Sequence, residues 1–267
     1  MKITAAEANR RFYREYARRY DEVEVCASAS ADRALLTRAI EQALQYVVSP
    51  RRVLDAGGGT GNAASILLEK GLNPVVVDVS AEMLDQWTAK AERQGVEAKT
   101  VVSTVEHFLE QDSDQWDLIV FSSVLHHLGD PSGVVRAASR QLAAGGAILT
   151  IFDPTPANRL GRFFRRVDWV SYALIHARPM LYSSLKAKFR WGDVRRTGEH
   201  IGRLAERYAL DGLDDKHLTD AMRASKLEIV AHDRLYYARQ AVVRFALRLT
   251  RQPSMFLIIA HRPEARM

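Results

Sequence analysis

Residues 53–62 of the chain read VLDAGGGTGN, an apolar run that ends in an acid and continues into closely spaced glycines. A segment that favours a helix, residues 63–70, comes next. This order predicts a strand, a sharp glycine turn, and a helix whose N-terminal N–H groups point at the space above the turn. Because the first N–H groups of a helix have no partner inside the helix, the stretch predicts a ligand site.

Two kinds of ligand are compatible with this glycine turn. Gly59, Gly61 and Ala64 satisfy the G-x-G-x-x-G/A pattern of dinucleotide sites, and Asp78 closes the next apolar run, where such sites bind a ribose. Asp55 argues against a dinucleotide, because an acid at the strand end would repel a pyrophosphate but can hold an ammonium group. We therefore expect a ligand without phosphates, and a nicotinamide cofactor is the alternative.

Further segments within residues 50–153 resemble, in order, the motifs of the class I S-adenosylmethionine (SAM) dependent methyltransferases. The glycine stretch resembles their first motif. The other similar segments are 75–80 (VVVDVS), 80–84 (SAEML), 116–123 (WDLIVFSS) and 142–146 (LAAGG). Five motifs in the family's order make the resemblance specific, whereas a single glycine loop is weak evidence. The resemblance implies a SAM-dependent methyltransferase of the EC 2.1.1 type.

Alternating strand and helix patterns predict an α/β fold, a Rossmann-like, seven-stranded, mostly parallel sheet with helices on both faces. We assign residues 1–154 to N-terminal helices and the SAM-binding core. Residues 155–215 are expected to form an α-helical substrate lid inserted after strand five, and residues 216–267 complete the sheet with a basic helix as an insert. Ligands of such sheets bind beyond the carboxyl ends of the strands, so the candidate residues are sought there.

The resemblance assigns the SAM site to these strand ends. It places Asp55 near the methionine part and gives both ribose hydroxyls to Asp78, although either acid could instead cap the following helix. Thr104 stands where the family often has an acid that meets the adenine amino group. Tyr20 belongs to a segment that resembles an N-terminal helix folding over the cofactor, or it packs on the core. The other expected cofactor-binding residues are Gly57, Gly59, Val79, Met83, Val105 and Ser122.

Two histidines after strand four are the candidate catalytic bases. Adjacent residues of a helical turn point about 100° apart, so only one of His126 and His127 is expected to face the acceptor. Asp153 ends the neighbouring strand five and could orient one imidazole, an arrangement that resembles certain natural-product O-methyltransferases. Alternatively, His127 packs under the sheet and Asp153 caps the turn before Pro154. No metal is expected, since consecutive histidines lack the spacing of a helical zinc pair.

Charge divides the chain into two parts. Residues 155–267 carry 22 Lys and Arg against 11 Asp and Glu, whereas residues 1–154 carry 16 against 21. Within the basic part, residues 237–251 read as an amphipathic helix. It could pack on the lid, contact a membrane surface that delivers a lipid or quinone-like substrate, or form an RNA patch. No RNA-binding module accompanies the charge, so we expect no nucleic acid as partner.

The sequence thus predicts transfer of a methyl group from SAM to an oxygen, or to a nitrogen or carbon, of a hydrophobic small molecule. A lipid or quinone-like acceptor at a membrane surface and a non-catalytic SAM-binding protein are the alternatives. An RNA methyltransferase and an NAD-dependent oxidoreductase are less favoured. The single cysteine, together with the lack of a signal-peptide pattern and of a long apolar run, predicts a cytoplasmic location.

Overall fold

The computed structural model describes residues 30–111, 114–168, 170–171, 212–238 and 240–264, together with Glu7, Arg10 and Ala17. Its strands are β1 Val53–Ala56, β2 Val75–Asp78, β3 Lys99–Val102, β4 Trp116–Ser122, β5 Leu142–Pro154, β6 Glu228–Leu235 and β7 Met255–His261. They form one sheet in the order β3-β2-β1-β4-β5-β7-β6. The first five strands run parallel, and β7 is antiparallel to both β5 and β6. The predicted fold class is confirmed.

Helices connect the strands. They are α1 Ser30–Leu44, α2 Asn62–Glu69, α3 Ala81–Glu92, α4 Val105–Gln111, α5 Pro131–Arg140, α6 at residues 159–168, α7 Asp215–Ala224 and α8 Ala241–Leu249. A 3-10 turn covers Leu125–His127. Sequence patterns predict no helix at α4 and a fifth strand that begins at Ala147, whereas β5 begins at Leu142. Of the helix that the sequence predicts at residues 5–19, the structure describes Glu7, Arg10 and Ala17 alone. Most of the predicted lid, residues 172–211, lies outside the described residues, and the domain assignment stays a prediction.

The two faces of the sheet bury different apolar clusters. Along β4, Leu118 and Val120 point into a cluster with α1 and α2, whereas Ile119 and Phe121 point into a cluster with α5 and α7. This alternation is what a strand covered by helices on both sides requires. All four side chains are fully buried, so the sheet gives the pocket at its carboxyl edge a rigid base.

No helix in the described part of the chain combines the length and the hydrophobicity that crossing a membrane would require. The cationic insert is nevertheless helical, since α8 occupies most of the segment for which sequence analysis predicts an amphipathic helix.

Candidate cofactor and acceptor site

The turn after β1 brings the backbone into close contact with the segment after β4. Gly57 has a φ of 74°, and its N–H donates to the carbonyl of Val77 at 2.7 Å. A Cβ atom at this position would lie 2.2 Å from Cγ2 of Val124. Only glycine therefore combines the left-handed backbone with this close approach. The glycine turn does more than contact a ligand, since it also sets the distance between β1 and the segment that follows β4.

A pocket opens at the carboxyl edge of the sheet, beside the ends of β1, β2 and β4. Its lining includes all nine predicted cofactor-binding residues that the structure describes, namely Asp55, Gly57, Gly59, Asp78, Val79, Met83, Thr104, Val105 and Ser122. The tenth, Tyr20, lies outside the described residues. Motifs that are up to 67 positions apart in the chain thus meet around one cavity.

Asp55 is fully buried at the end of β1, and only one of its two carboxyl oxygens has a hydrogen-bond partner. Its Oδ2 accepts a hydrogen bond of 3.0 Å from the N–H of Ala64 in the first turn of α2. The other oxygen, Oδ1, is buried without a hydrogen-bond partner. Burial raises the pKa of Asp55 to about 7, and the nearby charge of Asp78 contributes in the same direction. The carboxyl group therefore both caps a helix and leaves an unsatisfied acceptor at the pocket.

Asp78 ends β2 and is held by two backbone groups. Oδ2 accepts from the N–H of Gly59 at 3.0 Å, and Oδ1 accepts from the N–H of Ser80 at 2.9 Å. Burial raises the pKa of Asp78 to about 6, although these hydrogen bonds oppose the shift. Each carboxylate oxygen has further lone pairs, so the group can still accept from two hydroxyls. Ser80 caps α3, since its Oγ accepts from the N–H of Met83. Asp78 is therefore not needed as the cap of that helix.

The charge of the pocket distinguishes between candidate ligands. Asp55, Asp78 and Glu106 line it, whereas none of the described lining residues is Lys or Arg. Two carboxylates at the glycine turn would repel the phosphates of a dinucleotide and attract a cationic ligand. This arrangement disfavours the nicotinamide cofactor that the pattern of Gly59, Gly61 and Ala64 allowed.

At the β3 end of the pocket, Thr104 serves mainly as a helix cap. Its Oγ1 accepts a hydrogen bond of 3.1 Å from the N–H of His107 in the first turn of α4. Glu106 lines the pocket two residues later, although sequence analysis gave it no role. An acid in the first turn after β3 is the signal that could have identified it. We therefore count Glu106 with Thr104 as a candidate contact of a bound nucleoside.

The two histidines after β4 differ in their access to the pocket. His127 lines the pocket, whereas His126 is buried and is not among the described lining residues. The ring centroids of the two are 3.9 Å apart, with the planes tilted by 42°. Burial lowers the pKa of His126 to about 4, so its imidazole is neutral near pH 7. His127 is thus the histidine placed to reach an acceptor.

Asp153 orients the buried histidine. Its Oδ1 lies 2.7 Å from Nδ1 of His126 and also accepts from the backbone N–H of that residue at 3.0 Å. Burial raises the pKa of Asp153 to about 7, while the His126 N–H and the charge of His127 oppose the shift. Phe152, immediately before it, has a φ of 65° and lines the pocket. This left-handed residue coincides with a register shift in β5 that turns Asp153 under the histidine pair.

Some lining residues carried no recognisable signal in the sequence. Leu36 of α1, interpreted as a packing residue, reaches the pocket from a helix that precedes the first strand. Leu128 and Gly129 follow the histidines, and Asn62 with Ala63 begins α2. The last two could have been inferred from the glycine turn, because the start of a helix faces the same space. Leu36 could not, since its position depends on long-range packing.

The pocket's residues fit a SAM molecule. The unpaired Oδ1 of Asp55 suits an ammonium group, and the partly accessible carboxylate of Asp78 suits a pair of hydroxyls. Met83 is almost fully buried, and its Cε would lie 3.1 Å from a Cβ at Gly59, so an apolar side chain flanks the turn. Within the described part of the chain, no group of three or more His, Cys, Asp or Glu is placed to hold a metal ion.

Comparison with known proteins agrees with this chemistry. A family model described as a methyltransferase domain matches residues 54–148, which include the glycine turn, all three pocket acids and the histidine pair. Residues 54–148 therefore carry a methyltransferase domain. An N-methyltransferase from Bradyrhizobium japonicum, solved with S-adenosyl-L-homocysteine, aligns with a TM-score of 0.56 and 15% identity over 96% of this chain and all of the other. This likeness to the methyltransferase shows a shared fold.

Two curated relatives of this chain have names that specify different activities. The tRNA 5-carboxymethoxyuridine methyltransferase of Escherichia coli is 35% identical over 110 residues, which are 38% of this chain and 40% of that protein. The ubiquinone biosynthesis O-methyltransferase of Aeromonas salmonicida is 31% identical over 98 residues, 37% of this chain and 41% of the other. The chain thus matches less than half the length of these relatives.

Proposed function

We propose that this methyltransferase transfers the methyl group of SAM to a hydroxyl oxygen of a hydrophobic small molecule. Nitrogen and carbon acceptors are variants of the same chemistry. The observation that carries the proposal is a pocket at the carboxyl edge of the sheet whose described lining joins three acids, no Lys or Arg, and one histidine. The acids favour a cationic cofactor without phosphates, and the histidine supplies a base beside it.

Asp55 and Asp78 would hold the two ends of the cofactor. Oδ1 of Asp55 accepts from the ammonium group of the methionine part, which satisfies the buried oxygen that has no partner in the protein. Asp78 accepts from the ribose hydroxyls while Gly59 and Ser80 fix its orientation. Glu106 and Thr104 lie at the end of the pocket that would take the adenine. Bound SAM supplies a methyl group that is activated by its sulfonium.

His127 would act as the base toward the acceptor. When bound, SAM would supply the methyl group and keep the bonding electron pair on its sulfur. A ring nitrogen of His127 would take the proton of the acceptor hydroxyl as that oxygen is methylated. The rest of the site aligns the reacting atoms and excludes water, which contributes most of the rate in displacements of this type.

Asp153 and His126 would support this base from below. The neutral ring of His126 is fixed by the carboxyl group of Asp153 and stacks against His127. The charge of an ionised Asp153 favours the cationic form that His127 adopts after it accepts the proton. In this proposal Asp153 and His126 are positioning residues, and only His127 touches the acceptor.

A hydrophobic acceptor is supported by the apolar side chains among the lining residues, which include Val124, Leu128 and Phe152. The similarity to a ubiquinone biosynthesis O-methyltransferase supports an oxygen acceptor. An RNA acceptor is the second candidate, favoured by the similarity to the tRNA enzyme and by the arginine-rich C-terminal part. The two acceptors differ in charge, so they can be separated in one assay.

Incubation with methyl-labelled SAM tests the proposal. We expect label in phenolic or catechol compounds with apolar tails and none in unmodified total tRNA. The Asp78→Ala variant serves as the control for background transfer. Label in tRNA alone would establish the second candidate. SAM binding by calorimetry without transfer to either acceptor class, across extracts of hydrophobic metabolites, would contradict the enzymatic proposal and leave a non-catalytic SAM-binding protein.

A further inference from the structure

Large apolar side chains that are more than a third exposed are concentrated on two helices. The described part of the chain has nine of them, and seven lie on α6 and its continuation or on α8. They are Leu160, Phe163, Val167, Val170, Val242, Phe245 and Leu249. Single exposed apolar residues are ordinary, but a cluster of this size on neighbouring helices marks an interaction surface.

The two helices are packed together and fixed to the sheet. Val243 and Leu247 of α8 are buried against Phe164 of α6, and the N–H of Gln240 donates to Asp168 at 2.9 Å. Arg165 donates to the carbonyl of Ser254, just before β7, at 3.0 Å. A different set of side chains, Val243, Leu247 and Phe164, already fills the interface between the two helices. The exposed apolar residues therefore do not belong to that interface.

The spacing places the exposed residues on one side of each helix. On α6 they recur after three, four and three positions from Leu160 to Val170, and on α8 after three and four positions from Val242 to Leu249. Positions with this spacing form one stripe along a helix. Phe245, at 67% exposure, and Leu249, at 74%, remain largely in contact with solvent. Each helix thus buries one stripe in the protein and presents a second, separate apolar stripe outward.

Positive charge accompanies the outward stripes. Arg159 and Arg166 of α6 are exposed, as are Arg248 of α8 and Arg251 just after it. The single acid within the described helical residues 159–168, 170–171 and 241–251 is Asp168, which is buried against the start of α8. Apolar residues flanked by arginines, with few acids, are typical of helices that lie in the headgroup region of an anionic bilayer.

We propose that the outward stripes of α6 and α8 dock this methyltransferase on the surface of an anionic lipid bilayer. Phe163 and Phe245 enter the boundary between headgroups and acyl chains, and the flanking arginines contact lipid phosphates. The charge complementarity favours a bilayer over a second copy of the chain, since the same arginines would face one another across a symmetric dimer.

The docking surface lies on the pocket's side of the sheet. β5 ends at Pro154, next to the pocket residue Phe152, and α6 follows within a few residues. A membrane bound at α6 and α8 would therefore be close to the edge where an acceptor enters. Delivery of a lipid-soluble acceptor by this route rests on the proposed function, whereas membrane docking itself does not.

Vesicle co-sedimentation of the full chain tests the docking surface. Vesicles of phosphatidylcholine with phosphatidylglycerol should retain the wild-type protein, and pure phosphatidylcholine vesicles should retain much less. We expect Phe245→Asp to lower the partition coefficient about tenfold or more, because burial of a phenyl ring is replaced by a charge that the lipid repels. Arg248→Gln should weaken binding by a smaller factor, and added salt should weaken the wild type similarly.

Val48→Asp is the matched control. Val48 is 78% exposed but lies before β1, at the opposite edge of the sheet from the pocket. This variant should bind vesicles like the wild type. Calorimetry with SAM should give the same affinity for Phe245→Asp and the wild type, which shows that the variant is folded and separates this test from that of the methyl transfer.

Four results would overturn the docking proposal. The first two are the absence of binding to the anionic vesicles and equal binding by the wild type and Phe245→Asp. The third is a dimer in analytical ultracentrifugation that Phe245→Asp dissociates while the wild type does not bind vesicles, which would assign the stripes to a self-interface. Binding of tRNA that depends on Arg248, without vesicle binding, would likewise replace the bilayer with RNA.

Discussion

Buried carboxylates at the two sides of the pocket are used differently. At the ends of β1 and β2, Asp55 and Asp78 accept from backbone N–H groups and keep accepting capacity directed at the cavity. At the end of β5, Asp153 is equally buried, but its contacts are with His126 beneath the pocket. The first pair lines the pocket and can bind a ligand directly. Asp153 is not among the described lining residues, although its Oδ2 is also buried without a partner, so we expect it to act through His126.

This difference explains why the cofactor is easier to infer than the acceptor. The ligand-facing acids of the first side follow directly from a strand end and a glycine turn, so local sequence determines them. On the acceptor side, the orientation of the Asp153 side chain depends on the left-handed backbone of Phe152 and on a register shift in β5. No local sequence pattern indicates either feature. The following predictions test whether the two sides have the separate tasks of binding and catalysis.

Removing the Asp78 carboxylate should have the largest effect. Asp78→Ala removes the acceptor for two ribose hydroxyls and also frees the N–H groups of Gly59 and Ser80. We expect SAM affinity to fall about a thousandfold, as the loss of two charge-assisted hydrogen bonds implies. Titration calorimetry measures it. Asp85→Ala, at an exposed position of α3, is the control and should bind normally; unchanged affinity in Asp78→Ala would refute the role.

Substitution of His127 should lower the catalytic rate, whereas substitution of His126 should lower the stability of the fold. His127→Ala should lower kcat about a hundredfold at saturating SAM, the contribution expected of a general base, while SAM affinity changes little. His126→Ala should mainly lower the melting temperature, because the buried Asp153 loses its partner. Initial rates and thermal unfolding of both variants decide this. A rate loss confined to His126→Ala, or an unaltered double variant, would exclude His127 as the base.

Gly57→Ala should disturb both sides of the pocket, because it introduces a steric clash between the turn after β1 and the segment after β4. The added methyl group would meet Val124 and would also force a φ of 74° on a residue with a side chain. We expect a loss of unfolding free energy of about 2 kcal/mol, together with weaker SAM binding. Combining it with Val124→Ala should restore part of the stability in chemical denaturation. A fully stable single variant would show that the close approach between β1 and Val124 is not required.

The smallest expected effect is the pH dependence of SAM affinity. Because burial raises the pKa of Asp55 to about 7, much of this carboxyl group is protonated below that pH and cannot hold an ammonium group. Affinity should therefore rise about fivefold between about pH 6 and pH 7. Calorimetry across this range should show a shallower rise for Asp55→Asn. Parallel profiles would mean that the titrating group is elsewhere.

The raised pKa of Asp55 also predicts how the stability of the protein without SAM depends on pH. A carboxyl pKa that is higher in the folded state than in the unfolded state contributes stability at low pH, which is lost as the pH rises through about 7. Asp55→Asn should thus be more stable than the wild type at about pH 8 by more than about 1 kcal/mol. A less stable variant would indicate that Asp55 acts mainly as the cap of α2.

Much of the fold and of the cofactor side could be predicted from sequence. The alternation of apolar runs and helices determined the sheet, and Asp55 and Asp78 were identified at strand ends where parallel sheets bind ligands. The residues on the acceptor side of the pocket were harder to predict from sequence. The spacing of the two histidines predicts that one of them faces the acceptor, but only packing shows that His127 is the one that lines the pocket. Leu36 was missed because its approach depends on the way α1 packs on the sheet, whereas Glu106 was missed although an acid in the first turn after β3 could have indicated it.

The most direct test of the account is a comparison of SAM and NAD binding by the wild-type protein in titration calorimetry. The acidic pocket and its unpaired Asp55 oxygen predict that SAM and S-adenosyl-L-homocysteine bind, and that NAD, whose pyrophosphate these acids repel, does not. Tight binding of NAD, with no heat from SAM, would contradict the central claim that this pocket is built for a cationic nucleoside without phosphates.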